Sequence, residues 1–261
     1  MKLFSRFAVI GRQGVAFAAA LLLGVTALLV GGITAIPEAL AANSASKRLL
    51  PVYCTDRDGK VISLTFDAAW GAEDTDTLIE IFDTYDISVT FFVVGDWVDR
   101  FPDEVKKLHD AGHEVMNHSD SHPYMSRISA EQRAAELKAC NDKIQAITGV
   151  RPTLFRPPYG DYDNGVIRSV TDAGMTCVQW SLDSLDWKDP TPQAIIDRIT
   201  TRAKSGDIVL FHNAAKNTPA ALPAIIEKLK ADGYTFLKVS DMLYDQNECT
   251  INHEGRQCKK Q

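Results

Sequence analysis

No stretch of this chain gathers lysine and arginine into a stripe, and its charge balance is acidic. There are 28 Lys and Arg against 34 Asp and Glu, a formal net charge of −6. Setting aside residues 1–41 removes Lys2, Arg6, Arg12 and Glu38 and leaves 25 basic against 33 acidic side chains, a net of −8. An acidic domain without a basic face lacks the electrostatic footprint of a nucleic-acid binder, so no nucleic-acid partner is expected. No G-x-G-x-x-G or P-loop follows a strand-like run, which excludes the usual nucleotide cradles. The 5 cysteines, Cys54, Cys140, Cys177, Cys249 and Cys258, include no C-x-x-C pair, which argues against a thiolate zinc site. Their odd number leaves at least one thiol unpaired. Cys249 and Cys258 are spaced to close the C-terminal tail if the chain is exported, with five free thiols as the alternative. There is no internal repeat, and no low-complexity segment beyond one apolar run near the N-terminus.

That run is informative. Lys2, Arg6 and Arg12 precede an apolar stretch of 22 residues, Val15 to Ile36, followed by Pro37-Glu38-Ala39-Leu40-Ala41-Ala42. The stretch is long enough to span a bilayer, and the small residues after it suit signal peptidase. Residues 1–42 therefore read as a cleaved signal peptide or an uncleaved membrane anchor. Either sends the remainder out of the cytoplasm, with the basic end inside. An extracytoplasmic protein, secreted or anchored facing the cell wall, is expected. Residues 43–59 read as a linker and lead-in strand, 60–245 as the main domain and 246–261 as a tail.

Past the linker, short apolar runs rich in β-branched and aromatic residues alternate with helical stretches. Strands are expected at Val61–Asp67, Ser88–Gly95, Glu114–His118, Thr153–Arg156, Thr176–Asp183, Asp207–His212 and Thr235–Val239. Helices are expected at Asp74–Tyr85, Pro102–Ala111, Ala130–Thr148, Pro192–Lys204 and Pro219–Asp232. Gly112, Gly149, Gly174 and Gly233 follow helical runs, as C-terminal caps do. Repeated β-α units imply a parallel sheet with helices outside. The expected fold is a distorted (β/α) barrel with seven or eight parallel strands, and the alternative is an open doubly wound sheet.

Asp67, His118, Arg156, Asp183 and His212 all end expected strands. In a parallel barrel those ends share one rim, where active sites sit. His118-Ser119-Asp120-Ser121-His122 sets two imidazoles four residues apart, donors suited to zinc and other divalent metals. His109 and His113 share that spacing and act as a control. His113 begins the strand that His118 ends, about 16 Å away at ~3.3 Å per residue, so it belongs to the opposite rim. A histidine on an apolar strand is ordinarily a core residue, but the rim position of His212 favours chemistry. Asp186, beside Trp187, is placed to orient a histidine. The rim aromatics Trp70, Tyr159 and Trp187 suit sugar rings.

Together these residues resemble the polysaccharide deacetylases of carbohydrate esterase family four. The resemblance spans about residues 60–243 and rests on Thr65-Phe66-Asp67, His118-Ser119-x-x-His122, Arg156-Pro157-Pro158-Tyr159-Gly160, Asp183-Ser184-Leu185-Asp186-Trp187 and Leu210-Phe211-His212, in order. It implies a distorted barrel and one divalent metal, zinc first, with cobalt, nickel or manganese as alternatives. Asp67 would be the general base, held by Arg156. His118 and His122 would ligate the metal. His212 would protonate the leaving amine, tuned by Asp186. Trp187 and Leu210 would shape the acetyl pocket, and the backbone N–H of Tyr159 would serve the oxyanion. The expected reaction is removal of N-acetyl groups from an amino-sugar polymer, peptidoglycan first. Chitin-like oligosaccharides, a small amide or ester, or a catalytically weak glycan-binding role are the alternatives. The first motif departs from the family's two consecutive aspartates, because Ala68 follows Asp67. This variant resembles a subgroup related to sporulation deacetylases. Asp74, leaving the same strand a few residues later beside Glu73, is expected to supply the third metal ligand.

Overall fold

The computed structural model describes residues 48–260, so the N-terminal segment 1–42 lies outside the described residues. From Leu49 onward the chain forms one compact unit. Its first half contains β1 (Cys54–Thr55), β2 (Val61–Ala68), α1 (Thr75–Thr84), β3 (Thr90–Val93), α2 (Gly95–Arg100), α3 (Pro102–Asp110), β4 (Glu114–Asn117) and α4 (Ala130–Thr148). Next come β5 (Leu154–Phe155), α5 (Asn164–Asp172), β6 (Thr176–Cys177), β7 (Leu182–Asp183), α6 (Pro192–Thr200) and β8 (Asp207–His212). The chain finishes with α7 (Thr218–Ala231), β9 (Thr235–Phe236), α8 (Val239–Met242), β10 (Cys249–Ile251) and β11 (Arg256–Lys259). No helix among the described residues is long and apolar enough to cross a membrane.

Parallel pairing runs β8–β2–β3–β4–β5–β6, with β7 also parallel to β8 and β9 to β2. The lead-in segment draws the ends of this sheet together. Val52 N–H donates to the Cys177 carbonyl at 2.9 Å, and Gln179 N–H donates to Val52 O at 2.7 Å. Two residues later Cys54 pairs antiparallel with Asp207 at the start of β8. The curled, parallel-rich sheet is thus the expected distorted barrel.

Residue alternation along β2 explains how the barrel carries its site. Leu64, Phe66 and Ala68 belong to the apolar cluster that includes helix residues Leu78, Phe82, Ile225 and Leu229. Ser63, Thr65 and Asp67 alternate with them and face the other way. Phe66 stacks on Phe91 and Phe211, with ring centroids 5.1 and 5.3 Å apart, knitting β2 to β3 and β8. Each such buried ring contributes about 1.5–3 kcal/mol.

Several expectations change in detail. The run Thr176–Asp183 is two strands, because its backbone changes partners: Val178 N–H bonds to β5, Gln179 N–H to Val52 and Ser181 N–H to β8. α4 keeps its expected bounds through a Ser129/Gln132 capping box and Gly149 at φ 74°. Helices α2 and α8 were not anticipated, and α5 was expected only through Gly174, which follows it. Residues 246–261 are more than a tail: β10 and β11 form a hairpin that continues the sheet beside β1. In that hairpin Cys249 lies opposite Lys259 and Cys258 opposite Thr250, so the two thiols fall on opposite faces. All 5 cysteines are free. His113 is a core residue, 3% exposed and packed by Phe82 and Phe91.

Candidate active site

The C-terminal ends of the parallel strands open into a cleft of about 1020 Å³. Asp67, His118, His122, Asp183, Leu210 and His212 line it, together with Trp70, Tyr159, Trp180 and Trp187. The backbone around it is unusual. Ser119, His122, Tyr159, Leu185 and Ala214 are non-glycine residues at φ between 54° and 69°. Left-handed conformations are uncommon for such side chains and collect at functional sites. Each follows a strand end by a few residues, where the chain must turn sharply to keep its side chains on the rim.

Asp67 is buried against Arg156, whose Nη1 donates to Oδ1 at 2.7 Å. Arg156 is fully buried, lies over the Phe92 ring at 4.1 Å and donates from Nη2 to Gln179 O at 3.2 Å. Burial alone would raise the pKa of Asp67. The Arg156 guanidinium, helped by His118 and His212, outweighs it and holds the carboxyl below its ordinary range. Asp67 is therefore an anion at neutral pH.

His118 Nδ1 lies 2.7 Å from the backbone carbonyl of Arg156. A carbonyl only accepts, so Nδ1 carries the proton. Burial drives the His118 pKa down despite the nearby Asp67 charge, so the ring is neutral and Nε2 presents a lone pair. That lone pair sits 3.5 Å from Asp67 Oδ2, which also only accepts. His122 is held by its backbone N–H donating to Ser119 Oγ at 3.0 Å, and its ring centroid is 5.0 Å from that of His118. Burial, reinforced by His118, pushes its pKa down to about 4.

Two neutral imidazoles beside an anionic oxygen, with acceptor facing acceptor, fit a divalent cation by the chemistry of their donors. They supply two nitrogen ligands. Asp74 does not join them. Among the described residues no group of three or more His, Cys, Asp or Glu is arranged to hold a metal. Asp74 lies outside the cleft lining, and its Oδ2 accepts the Ala214 N–H at 2.8 Å. The turn before α1 directs Asp74, the expected third ligand, toward the segment after His212. Ala68, in the apolar cluster, offers no donor either.

Across the cleft, Asp186 organises His212. Its Oδ1 lies 2.8 Å from His212 Nδ1, and its Oδ2 accepts the His212 N–H at 2.9 Å and the Thr218 hydroxyl at 2.8 Å. Burial would lower the His212 pKa. The Asp186 hydrogen bond, with the charges of Asp67 and Asp186, outweighs burial and raises it. The Trp70 ring stacks on His212, with centroids 5.3 Å apart and planes 15° apart. Trp70, Tyr159 and Trp187 are about half exposed at the rim. Tyr159 stacks on Tyr124 at 4.3 Å and meets the His122 ring at 4.5 Å, tying two rim loops together.

The structure brings together all the expected rim residues except Asp74. Arg156 and Asp186 stand behind the lining and support it. Sequence reasoning quoted Ser119 within a motif without giving it a role and missed Thr218 and Asn213; all three hold the site through hydrogen bonds. For Thr218 and Asn213 the only sequence signal is that each lies within six residues of His212.

Comparison with known proteins agrees with this fold. Residues 55–178 match the family model described as polysaccharide deacetylase. The chain is 36% identical over 187 residues to the peptidoglycan-N-acetylmuramic acid deacetylase PdaC of Bacillus subtilis, covering 72% of this chain and 39% of that one. It is 36% identical over 189 residues to a peptidoglycan-N-acetylglucosamine deacetylase of Bacillus cereus, covering 70% of this chain and 88% of the relative. Several curated relatives are longer, and the chain spans less than two thirds of their length. Among solved structures, a CE4 family pseudoenzyme from Bacillus anthracis superposes with a TM-score of 0.71 at 33% identity, covering 74% of this chain and 68% of that one. A mutant of that pseudoenzyme is described as having restored enzymatic activity.

Proposed function

This chain belongs to the polysaccharide deacetylase family, and on that premise we propose that it hydrolyses N-acetyl groups on the amino sugars of peptidoglycan. One observation carries the reading: the cleft holds two titratable groups whose surroundings push their pKa values apart. Arg156 keeps Asp67 ionised, and Asp186 raises the pKa of His212 above the ordinary histidine value. An anionic base and an acid of raised pKa in one cleft are what amide hydrolysis asks of its catalyst.

His118 and His122 would hold a divalent metal, zinc before cobalt, nickel or manganese. When bound, such an ion polarises the acetyl carbonyl and lowers the pKa of water. Asp67 Oδ2 takes the proton from the attacking water. His212, fixed through Nδ1 by Asp186, presents Nε2 to the leaving nitrogen and delivers a proton as the C–N bond breaks. Leu210 and Trp187 border the space for the acetyl methyl. The Tyr159 backbone N–H serves the developing oxyanion. Trp70, Tyr159 and Trp187 offer faces to the sugar rings. The N-terminal segment would carry the domain out of the cytoplasm, to the wall that holds this substrate.

A second reading, a glycan binder without efficient turnover, draws on Ala68 and on the likeness to the Bacillus anthracis pseudoenzyme. Metal content and acetate release separate the two. The purified chain, supplied with zinc, should bind metal and release acetate from peptidoglycan. Metal-free protein that binds peptidoglycan and releases no acetate would establish the binder instead. Acetate from small esters alone would place the activity elsewhere.

A further inference from the structure

The loop that leaves β2 and the loop that leaves β8 are stitched together by side-chain hydrogen bonds just beyond the last rung of the β2–β8 ladder. Asn213 N–H donates to Asp67 O at 3.1 Å. The Asn213 side chain accepts from Ala69 N–H at 3.3 Å and donates to the Gly71 carbonyl. Trp97 Nε1 donates to that same carbonyl at 2.8 Å. Asp74 closes the set by accepting the Ala214 N–H at 2.8 Å. Between the joined ends, Trp70 from one loop lies flat on His212 at the root of the other.

Asp74 is costly where it stands. It is 9% exposed, and its Oδ1 is buried with no hydrogen-bond partner among the described residues. It precedes α1, yet its side chain makes no capping hydrogen bond, so the ordinary purpose of an aspartate at that position is not served. A buried carboxylate with one accepted hydrogen bond destabilises the fold unless that bond matters. The bond it makes is to Ala214, an alanine at φ 54°, two residues beyond His212. A left-handed alanine relaxes unless something holds it.

We propose that Asp74 is a positioning residue: by accepting the Ala214 N–H it holds the loop after β8 in its strained form and keeps His212 aligned with both Asp186 and the Trp70 face. This rests on the reading of His212 as the general acid. Asp74 acts through Ala214, needs only an acceptor oxygen, and takes no part in holding metal.

The full chain loaded with zinc tests this through Asp74→Ala and Asp74→Asn. The Ala variant should lose about 10-fold or more in kcat on peptidoglycan, the scale on which misplacing a reacting group is felt. Its KM and zinc stoichiometry should match the parent. The alkaline limb of its pH–rate profile should move to lower pH as His212 parts from Asp186. The Asn variant keeps an acceptor for Ala214 and should stay within about threefold of the parent, with zinc retained. Loss of zinc in either variant, an Asn variant as impaired as Ala, or an Ala variant with parental kcat and pH profile would each overturn the proposal. If the Ala variant does not fold, the Asn variant decides alone. A parent that releases no acetate overturns the deacetylase reading beneath it; a working parent with an unaffected Ala variant overturns only the role of Asp74.

Discussion

The site depends on which side chain sits behind which. Arg156 is fully buried and faces a carboxylate that is itself almost enclosed. Removing one partner of such a pair leaves an uncompensated buried charge, at a cost of about 3–5 kcal/mol. Arg156→Met should show that loss in urea unfolding, and a change under about 1 kcal/mol would mean water reaches Asp67 after all. The pH dependence follows from the two shifts. Asp67 must be ionised to accept a proton, so its lowered pKa sets an acid limb below the usual carboxylate range. His212 must be protonated to donate, so activity is lost as pH rises through its pKa, which lies above the ordinary histidine value. Asp186→Asn removes the main raising influence and should move the alkaline limb to lower pH; a limb that stays in place would show that another group donates. At this scale the sequence was legible where a residue ends an apolar strand, as Asp67, His118 and His212 do. It was illegible where the turn after the strand decides direction. Asp74 was expected at the histidines because it leaves the same strand as Asp67. Nothing in the spacing of residues 69–74 tells that the turn carries its carboxylate to Ala214 instead.

At the scale of elements, the lead-in segment bears more than its length suggests. Residues 52–55 contact β6, β8 and β11, and so draw the curled sheet together. Thr55 N–H donates to the Gly206 carbonyl at 3.0 Å, and Gly206 stands at φ 81°. A β-carbon there would collide with the Thr55 carbonyl. Gly206→Ala combines that clash with a left-handed backbone and should cost more than about 1 kcal/mol. The accompanying sign is faster hydrogen exchange at the amide of Gln179, which pairs with Val52; unchanged exchange and stability would show the segment is dispensable. The long strands and several helices were readable from periodicity, since β2 and β8 are apolar over most of their length and α1, α3 and α6 are amphipathic, while α4 was readable from its caps. The elements of two residues were legible in place but not in extent, because a strand that short has no period to fix its ends. The split of Thr176–Asp183 arises from a change of hydrogen-bond partner, which is a property of the whole sheet and leaves no mark on the local pattern. The β10–β11 hairpin was hidden in the same way, because its partner β1 lies about two hundred positions earlier in the chain.

For the whole molecule, the barrel core found among the described residues lies within the compact unit that starts at Leu49. Residues 43–261 should therefore express as a soluble, folded domain with a cooperative thermal transition. Aggregation of that product while the full chain in detergent is folded would show that the N-terminal segment completes the fold. The central claim is that one cleft works as a metal-assisted deacetylase with His212 as its acid. It is tested most directly by the initial rate of acetate release from peptidoglycan, measured for the parent and His212→Ala at equal zinc content. The account predicts steady release by the parent and a rate lower by about 10²-fold or more in the variant, with zinc stoichiometry unchanged. Equal rates in the two, or loss of zinc from the variant, would contradict it.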